Sequence, residues 1–459
     1  MAELMLDAKN VEQASIYINN IAESEQNGAY GLYLRGRLHL VKGEVTEAIY
    51  NLNESVKQKD DNAQAHYHLG LAYQATGDVR SAQSKMRDVL NLSPGMDKAR
   101  LSLAALSFQL QDYDSAIEET KKVLIRHPIH PGAHLLAANI YLAQKDLEEA
   151  EEYFRKSTNL SPEDPQGWVG LGRVGIAKKN VHEAIEHFEK ALSITPDNLD
   201  VLTLITSIYF TEKQPAKAIN SLEKHASSFL SNPYYYKLLG KVFQADKKFD
   251  KAEGAYKKAI EIKKDFFDAY LALGDLYAAQ GQINEAIKSY NGAVKVNPDI
   301  VDPYMQLGSV YEKKGEIHKA KKYYQKVLKI NPEFALAANN LAWIYSEHGG
   351  DIEEALSLAR IAKEKLPDDP GIADTLGWIY YKKGLFHTAL PFLEESVGKI
   401  ENNPIIHYHL GMAYSKSGEK EKAKEHLSTS LAINSEYKGA VEAQKTLEVL
   451  IQDESSSEE

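Results

Sequence analysis

The sequence contains no cysteine, and tryptophan occurs only three times in 459 residues. The chain can therefore form no disulfide, and it offers no thiolate to a metal ion or to a nucleophilic reaction. Lysine and arginine number 54 against 65 aspartates and glutamates, which gives a net charge of −11. Binding to nucleic acid phosphates needs clustered positive charge, so this balance argues against a nucleic acid partner.

Long apolar runs are also missing. No window approaches the roughly eighteen apolar residues that a membrane-spanning helix needs. The first residues, MAELMLDAKNVEQ, have neither a basic start nor an apolar stretch, so no signal peptide is predicted in the sequence as given. As written, the chain is expected to be cytoplasmic. If a signal peptide had been removed, the expectation would change to an exported or periplasmic protein.

The sequence is instead dominated by a motif of thirty-four residues, which is clearest in residues 267–300. Large apolar residues at positions 4, 7 and 11, and Ala, Tyr and Ala at positions 20, 24 and 27, each form one stripe of an α-helix. Gly281 at position 15 separates the stripes, and Pro298 at position 32 ends the unit. The motif therefore predicts two antiparallel helices, A and B, joined by a short turn.

The motif recurs in phase twelve times, with one extra residue at the Gly349–Gly350 pair. Position 8 is small in every repeat, and position 20 is always alanine. The twelve alanines are Ala48, Ala82, Ala116, Ala150, Ala184, Ala218, Ala252, Ala286, Ala320, Ala355, Ala389 and Ala423. Small residues at both positions would let the backbones of helices A and B approach closely.

A period of thirty-four residues with this pattern resembles the tetratricopeptide repeat family. The resemblance covers residues 29–437 and implies an all-α fold, a right-handed solenoid (superhelix) of twelve helix-turn-helix repeats. Residues 1–28 are expected to be an N-terminal partial repeat that caps the array, 438–452 a C-terminal capping helix, and 453–459 a disordered acidic tail. In this family helix A lines a concave groove that usually holds another protein.

A narrower resemblance involves two stretches near the end of the array. NNLAWIYSE at 339–347 and DTLGWIYYKKGLFHTALPFLEES at 374–396 are similar to the C-terminal repeats of certain bacterial tetratricopeptide proteins. Those proteins are associated with exopolysaccharide export and PEP-CTERM sorting. This resemblance implies a targeting or regulatory subunit of a polysaccharide export or glycosyltransferase complex.

The sixth repeat is the least regular. Thr206 occupies position 8, Pro215 lies in the turn between the helices, and His225 occupies position 27. One interpretation is that residues 225–235 form the weakest junction of the array. The other is that these changes are variation that the repeats tolerate.

Motifs that would indicate catalysis or a cofactor have plainer interpretations. Gly170, Gly172 and Gly175 match GxGxxG, but no strand precedes them and Gly172 is the small position 8 of a helix. The histidines of 127–134 lack a nearby acid to complete a zinc site, and the pairs His66/His68 and His407/His409 are read as repeat variation. We therefore predict no enzyme, no cofactor and no metal.

The candidate binding residues lie at positions 2, 5, 9 and 12 of helix A, which face the groove in this family. They change from basic to acidic to aromatic along the chain, which suits a peptide-binding surface. The predicted residues are Arg37, Arg173, Lys237, Lys241, Asp268, Asp275, Asp302, Glu312, Asn339, Trp343, Asp374, Trp378, Tyr381 and Tyr408. Alternatively, these are scattered solvent-facing side chains, and each tryptophan packs on the adjacent repeat.

Three functions remain open from the sequence. The first is a non-catalytic scaffold that binds a protein or peptide in its groove. The second is the targeting subunit described above, with catalysis on another chain. The third is a structural protein that associates with itself through the ends of the solenoid.

The alanine pattern yields a stability prediction. Replacing Ala286 with Leu should overpack the contact between helices A and B and destabilise the fold by about 1–3 kcal/mol. The same change at Ala278, at position 12 on the groove side, should have a much smaller effect. Thermal melting of the two variants tests this, and equal shifts would contradict the assigned frame.

Overall fold

The structure is a computed structural model that describes residues 1–21, 25 and 27–455. All regular secondary structure in these residues is helical, which confirms the all-α prediction. The chain divides into two compact units between Leu230 and Ser231. This division falls within the stretch 225–235 that the sequence indicates as the weakest junction.

The first unit begins with two short helices, α1 (Ala2–Asp7) and α2 (Val11–Asn19), followed by the helix pairs of repeats 1 to 6. The second helix of repeat 6 is the shortest of the six and is followed by a 3-10 turn, Ala226–Phe229. The pairs are α3 (Ala29–Lys42) with α4 (Val45–Gln58), α5 (Ala63–Ala75) with α6 (Val79–Leu92), α7 (Asp97–Gln109) with α8 (Tyr113–Arg126), α9 (Pro131–Gln144) with α10 (Leu147–Leu160), α11 (Pro165–Ala177) with α12 (Val181–Ile194), and α13 (Leu199–Thr211) with α14 (Pro215–His225).

The second unit holds repeats 7 to 12 and a terminal helix, α27 (Ala440–Ser455). Helix A packs on helix B within each pair, and each helix B packs on the following helix A. The pairs are α15 (Pro233–Ala245) with α16 (Phe249–Ile262), α17 (Phe267–Ala279) with α18 (Ile283–Val296), α19 (Asp302–Lys313) with α20 (Ile317–Ile330), α21 (Ala335–Glu347) with α22 (Ile352–Lys365), α23 (Pro370–Lys382) with α24 (Phe386–Lys399), and α25 (Pro404–Ser417) with α26 (Lys420–Ile433).

Close contact between helices A and B follows from the small residues at positions 8 and 20. All twelve alanines at position 20 are completely buried. At position 8, a Cβ added to Gly274 would lie 2.4 Å from the ring of Tyr290, at position 24 of the same repeat. Gly172 has the same relation to Phe188, also at 2.4 Å. The glycine therefore provides the space that the large ring of helix B fills.

The turn between helices A and B has the same backbone conformation in all twelve repeats. The residue at position 15 always has a positive φ, as a left-handed helix cap requires. It is glycine in seven repeats; in the other five it is Gln111, Lys145, Lys179, Lys213 or Lys247. Since this conformation destabilises a residue other than glycine by about 1–2 kcal/mol, the packing of the two helices, and not the turn residue, fixes the turn.

The side chain at position 4 often ends in a polar group that donates a hydrogen bond to a backbone carbonyl of the preceding inter-repeat turn. His66 Nε2 lies 2.9 Å from the carbonyl oxygen of Asp60, and His134 Nε2 lies 2.8 Å from that of Pro128. Trp168 Nε1 donates in the same way to Pro162 at 3.0 Å. His66 and His134 are thus structural hydrogen-bond donors to a turn carbonyl, a role that the sequence interpretation missed.

The ends of the array differ in detail from the prediction. The N-terminal partial repeat packs Leu6, Ala14 and Ile18 against the core of repeat 1. The sequence pattern predicts one helix over residues 11–22 here, but the observed helix ends at Asn19, and Ala22 lies outside the described residues. In the C-terminal helix the apolar spacing predicts a buried side that includes Ala443, Leu450 and Ile451. Ala443 and Leu450 are buried, but Ile451 is 53% exposed, so its predicted place is wrong.

The predicted disordered tail, 453–459, is also partly wrong. Helix α27 continues to Ser455, so the first residues of that tail are helical. Residues 456–459 lie outside the described part of the chain. The helix therefore continues beyond residue 452, where the sequence predicts its end, although the following residues are acidic.

The contact between positions 8 and 24 generates a paired prediction. Gly274→Ala should destabilise the protein by about 1–3 kcal/mol because its methyl group meets the ring of Tyr290. Gly254→Ala, where nothing lies within 4 Å of the new Cβ, should stabilise it by up to about 1 kcal/mol through helix propensity. Denaturant unfolding of the two variants measures both effects. Stabilisation by Gly274→Ala would contradict this account of the interhelical contact.

Candidate functional site

The candidate site is a pocket of about 440 Å³ in the second unit. We call it the aromatic pocket. Helices α21, α23 and α25, the first helices of repeats 10 to 12, form its sides together with the start of α27. Its lining residues are Trp343, Glu347, Trp378, Tyr381, Lys382, Ile405, Tyr408, His409, Lys438, Gly439 and Glu442. All four aromatic residues predicted for the groove therefore lie together.

Trp378 forms the fixed centre of the aromatic pocket and is only 6% exposed. Its ring stacks on Tyr381, with centroids 4.6 Å apart and planes 7° apart, and on His409, with centroids 4.0 Å apart and planes 20° apart. Its indole Nε1 donates to Glu347 at 2.9 Å. Of the two interpretations that the sequence left open for Trp378, packing on the adjacent repeat is therefore the one that the structure shows, because the next repeat supplies His409 to cover the indole.

Glu347 ties three parts of the site together. Its carboxylate accepts hydrogen bonds from Trp378, from Lys382 Nζ at 2.5 Å and from Lys438 Nζ at 3.0 Å. Burial alone would raise the pKa of Glu347, but the hydrogen bonds from Lys382, Trp378 and Lys438 outweigh it and lower the pKa to about 2. The side chain is 11% exposed. Because these donors are fixed around it, Glu347 stays ionised and holds the pocket wall in place.

A second buried pair lies beneath the rings. His409 Nδ1 is 2.9 Å from both carboxylate oxygens of Asp374, and the two residues are 2% and 8% exposed. Asp374 was predicted to face the groove, but its carboxylate is used to orient the imidazole. Because Nδ1 carries that hydrogen bond, His409 presents its flat face to Trp378. Asp374 therefore positions the stacked rings and is not itself an open binding group.

Tyr408 and Tyr381 complete the wall towards the terminal helix. The hydroxyl of Tyr408 donates to Glu442 Oε2 at 2.7 Å, and burial together with this acceptor raises the pKa of Tyr408. Burial and the charge of Glu442 raise the pKa of Tyr381 to about 12. Gly439 has a φ of +110°, and a Cβ there would lie 2.8 Å from the ring of Tyr408. The chain can therefore pass close to this ring only as glycine.

Trp343 differs from the other rings of the aromatic pocket. It is half-buried, and its one ring neighbour among the residues that the structure describes is His409, at a centroid distance of 5.9 Å and a tilt of 46°. One helical turn earlier, Asn339 keeps a buried Oδ1 for which the described part of the chain offers no hydrogen-bond partner. Trp343, like Tyr381, is thus only half-buried, and it retains open surface for a partner.

The charged residues predicted for repeats 7 to 9 are only partly free. Lys237 Nζ pairs with Asp268 Oδ2 at 2.7 Å, so these two charges offset each other. Asp275 accepts from the hydroxyl of Tyr290 at 2.8 Å, and Glu312 accepts from that of Tyr324 at 2.9 Å. A tyrosine hydroxyl is a neutral donor, so neither bond supplies a positive charge to the carboxylate. Two further predicted residues, Asp302 and Lys241, are exposed.

The basic residues predicted in the first unit separate into two environments. Arg37 is 8% exposed and bonded to Asp7 and to the hydroxyl of Tyr33, so the prediction that its charge faces an open groove is wrong. Arg173 is exposed and lines a pocket of about 260 Å³ together with Asn139 and Asp200. This second pocket lies between helices A of repeats 4 to 6, at the positions that the repeat frame indicates.

Several residues of the aromatic pocket were missed from the sequence. Glu347 and Lys382 lie at position 13, one helical turn after Trp343 and Trp378. Adding position 13 to the groove-facing positions would have predicted both. His409 lies at position 6, and Lys438 and Glu442 belong to the terminal segment. No repeat frame predicts the last two, because they follow the final repeat.

Comparison with known families agrees with the geometry. Models described as TPR repeat match residues 36–77, 240–281 and 274–315. Others, described as tetratricopeptide repeat, match residues 67–122, 107–171, 176–242, 301–334, 323–357 and 405–437. The chain belongs to the tetratricopeptide repeat family. Proteins of this family act as interaction scaffolds that bind proteins or peptides, and their fold is typically non-catalytic.

Several solved structures are similar to this tetratricopeptide repeat protein. The Cut9–Hcn1 complex of the APC/C shows 16% identity and a TM-score of 0.42, over 92% of this chain and 96% of that one. A repeat protein from Parabacteroides merdae shows 19% identity and a TM-score of 0.41, over 54% and 98%. MamA from Desulfovibrio magneticus shows 24% identity and a TM-score of 0.35, over 37% and 96%. With TM-scores below 0.5, these likenesses do not indicate a partner.

Two further comparisons concern the tetratricopeptide repeat protein as a whole. None of the curated proteins compared with it gives a match. No helix in the described residues is both long and apolar enough to cross a membrane. The narrower resemblance to exopolysaccharide-associated proteins stays a prediction, because the matching models describe the repeat in general.

The lowered pKa of Glu347 generates a prediction about pH. In the unfolded chain this carboxyl titrates near 4.5, so its ionised form favours the folded state above that pH, and the contribution is lost as the pH falls towards 2. Glu347→Gln should destabilise the protein at neutral pH by up to about 3 kcal/mol, and the difference from wild type should disappear near pH 2. The measurement is chemical denaturation across this pH range.

The matched control is Glu353→Gln, which removes an exposed ion pair with Lys383. Exposed pairs contribute about 0–1 kcal/mol, so this variant should behave nearly like wild type. An equally small effect of Glu347→Gln would show that the network does not stabilise the fold.

Proposed function

We propose that this tetratricopeptide repeat protein is a non-catalytic scaffold that holds a protein or peptide segment in the aromatic pocket of repeats 10 to 12. The supporting observation is the contrast between its two tryptophans. Trp378 is fixed by stacking and by Glu347, whereas Trp343 keeps open surface beside it. A rigid wall next to one accessible indole is the arrangement expected of a binding hot spot.

Preorganisation supports the same proposal. The rings of Trp378, Tyr381 and Tyr408 are held by contacts that exist before any partner binds. A segment that enters the pocket therefore need not order these side chains, which would otherwise oppose binding by about 0.5–1.5 kcal/mol each. The pocket is open to one side chain or a short stretch of chain, and its volume is within the range of small binding sites.

The two tryptophans should respond differently to truncation. Trp343→Ala should change the melting temperature little but weaken binding of a partner by about 2 kcal/mol or more. Trp378→Ala should destabilise the fold by about 3–5 kcal/mol, because a large buried ring is lost. The measurements are thermal melting and the binding of a partner, captured by the wild-type protein and identified by mass spectrometry.

Tyr50→Ala serves as the control, because this ring is 66% exposed on a second helix of the first unit and does not line the pocket. It should affect neither melting nor binding. If Trp343→Ala leaves binding unchanged in a folded protein, the aromatic pocket is not the principal site. A captured glycosyltransferase or export component would favour the targeting alternative, and concentration-dependent mass in sedimentation would favour self-association.

A further inference from the structure

We propose, building on the function above, that the segment bound by repeats 8 to 12 is basic and places an arginine in the aromatic pocket. The evidence is the uneven charge of the surface formed by positions 2, 5, 9 and 12 of the first helices. In repeats 8 to 12 these positions hold five acids and no lysine or arginine. The acids are Asp268, Asp275, Asp302, Glu312 and Asp374.

Two of these five carboxylates are already satisfied inside the protein. Asp268 pairs with Lys237, and Asp374 bonds His409. The other three have no cationic partner within 4 Å among the residues that the structure describes. Asp275 and Glu312 receive only a neutral tyrosine hydroxyl, and Asp302 is exposed. The first helices of repeats 8 and 9 therefore carry uncompensated negative charge.

Mutual repulsion between these acids supports this description. Burial raises the pKa of Asp275, the hydroxyl of Tyr290 opposes that change, and the neighbouring charge of Asp302 raises the pKa further. A carboxylate whose ionised form is disfavoured by burial and by a neighbouring negative charge is stabilised when a cation approaches. A guanidinium or ammonium group on the bound segment would supply that charge.

The aromatic pocket, in the repeats that follow, has one acid placed to receive a cation. Glu442 accepts a hydrogen bond from the hydroxyl of Tyr408 through Oε2. No lysine or arginine in the described residues forms an ion pair with Glu442. The two lysines of the pocket, Lys382 and Lys438, are both directed to Glu347. Lys438 is 74% exposed, so water and salt screen its charge.

Arginine suits this pocket better than lysine. Its planar guanidinium can stack on an aromatic face and at the same time donate to a carboxylate. Trp343 provides the accessible ring, Tyr381 and Tyr408 provide the wall, and Glu442 provides the acceptor. The bound segment would therefore place basic side chains against repeats 8 and 9, and one arginine in the aromatic pocket of repeats 10 to 12.

The test uses the full-length protein and a library of random peptides displayed on phage. Selected peptides should be enriched in arginine and lysine and depleted in acids. Their association should slow as salt rises, because exposed charges steer the encounter. Replacing the anchoring arginine of a selected peptide with lysine should weaken binding, since the stacking plane is lost.

Variants of the protein then separate the effect of the acids of repeats 8 and 9 on association from the effect of Glu442 on dissociation. The double variant Asp275→Asn with Asp302→Asn should lower the association rate about tenfold at low salt, and Glu442→Gln should raise the dissociation rate of arginine-containing peptides. Glu285→Gln, which removes a partly buried acid paired with Lys288 on the second helix of repeat 8, is the control and should change neither rate. Circular dichroism confirms that each variant is folded.

The outcomes distinguish this inference from the proposed function. If the selected peptides are neutral or acidic but still need Trp343, the charge inference is overturned and the pocket remains the binding site. If basic peptides bind and Trp343→Ala has no effect, the anchor is wrong and the proposed pocket fails with it. Basic selection with loss of binding in both the acid and the Trp343 variants supports the full proposal.

Discussion

The close approach of two helices within each repeat is the contact on which the rest of the structure depends. An alanine at position 20 is completely buried in every repeat, and wherever position 8 is glycine it accepts a large side chain from position 24. Because interiors are packed as tightly as organic crystals, this contact leaves little freedom in the angle between the helices. The turn at position 15 then takes one conformation, even where lysine replaces glycine.

This fixed helix pair explains why other positions can vary without loss of the fold. At position 4 the side chain is His66, Trp168 or Tyr304 in different repeats, and each reaches a carbonyl six residues earlier. At position 27 the hydroxyls of Ser55 and Ser396 donate a hydrogen bond to the backbone carbonyl oxygen of the first residue of their own repeats. The polar groups at position 4 satisfy carbonyl groups of the inter-repeat turns, which would otherwise lack partners. The serine hydroxyls add a bond to a carbonyl at the start of a helix.

The aromatic pocket shows how such a scaffold separates support from recognition. Glu347 and Asp374 are acids, yet both are committed to internal bonds that hold Trp378 and His409 in place. Among the described residues, the same chemical group on Glu442 is bonded only to a tyrosine, and it lines the open side of the pocket. A residue's type and repeat position therefore do not decide its role. That role depends on whether a neighbouring repeat has already supplied a partner.

The sequence by itself determined the helix pairs, the period and the buried alanines, because these depend on contacts within thirty-four residues that recur at fixed spacing. It also located the four aromatic residues on one side of helix A. It could not determine which tryptophan is covered, since Trp378 is covered by His409 from the next repeat. Nor could it place Lys438 against Glu347, ninety-one residues earlier in the chain. Only the tertiary structure decided these contacts, because they join side chains that no local periodicity relates.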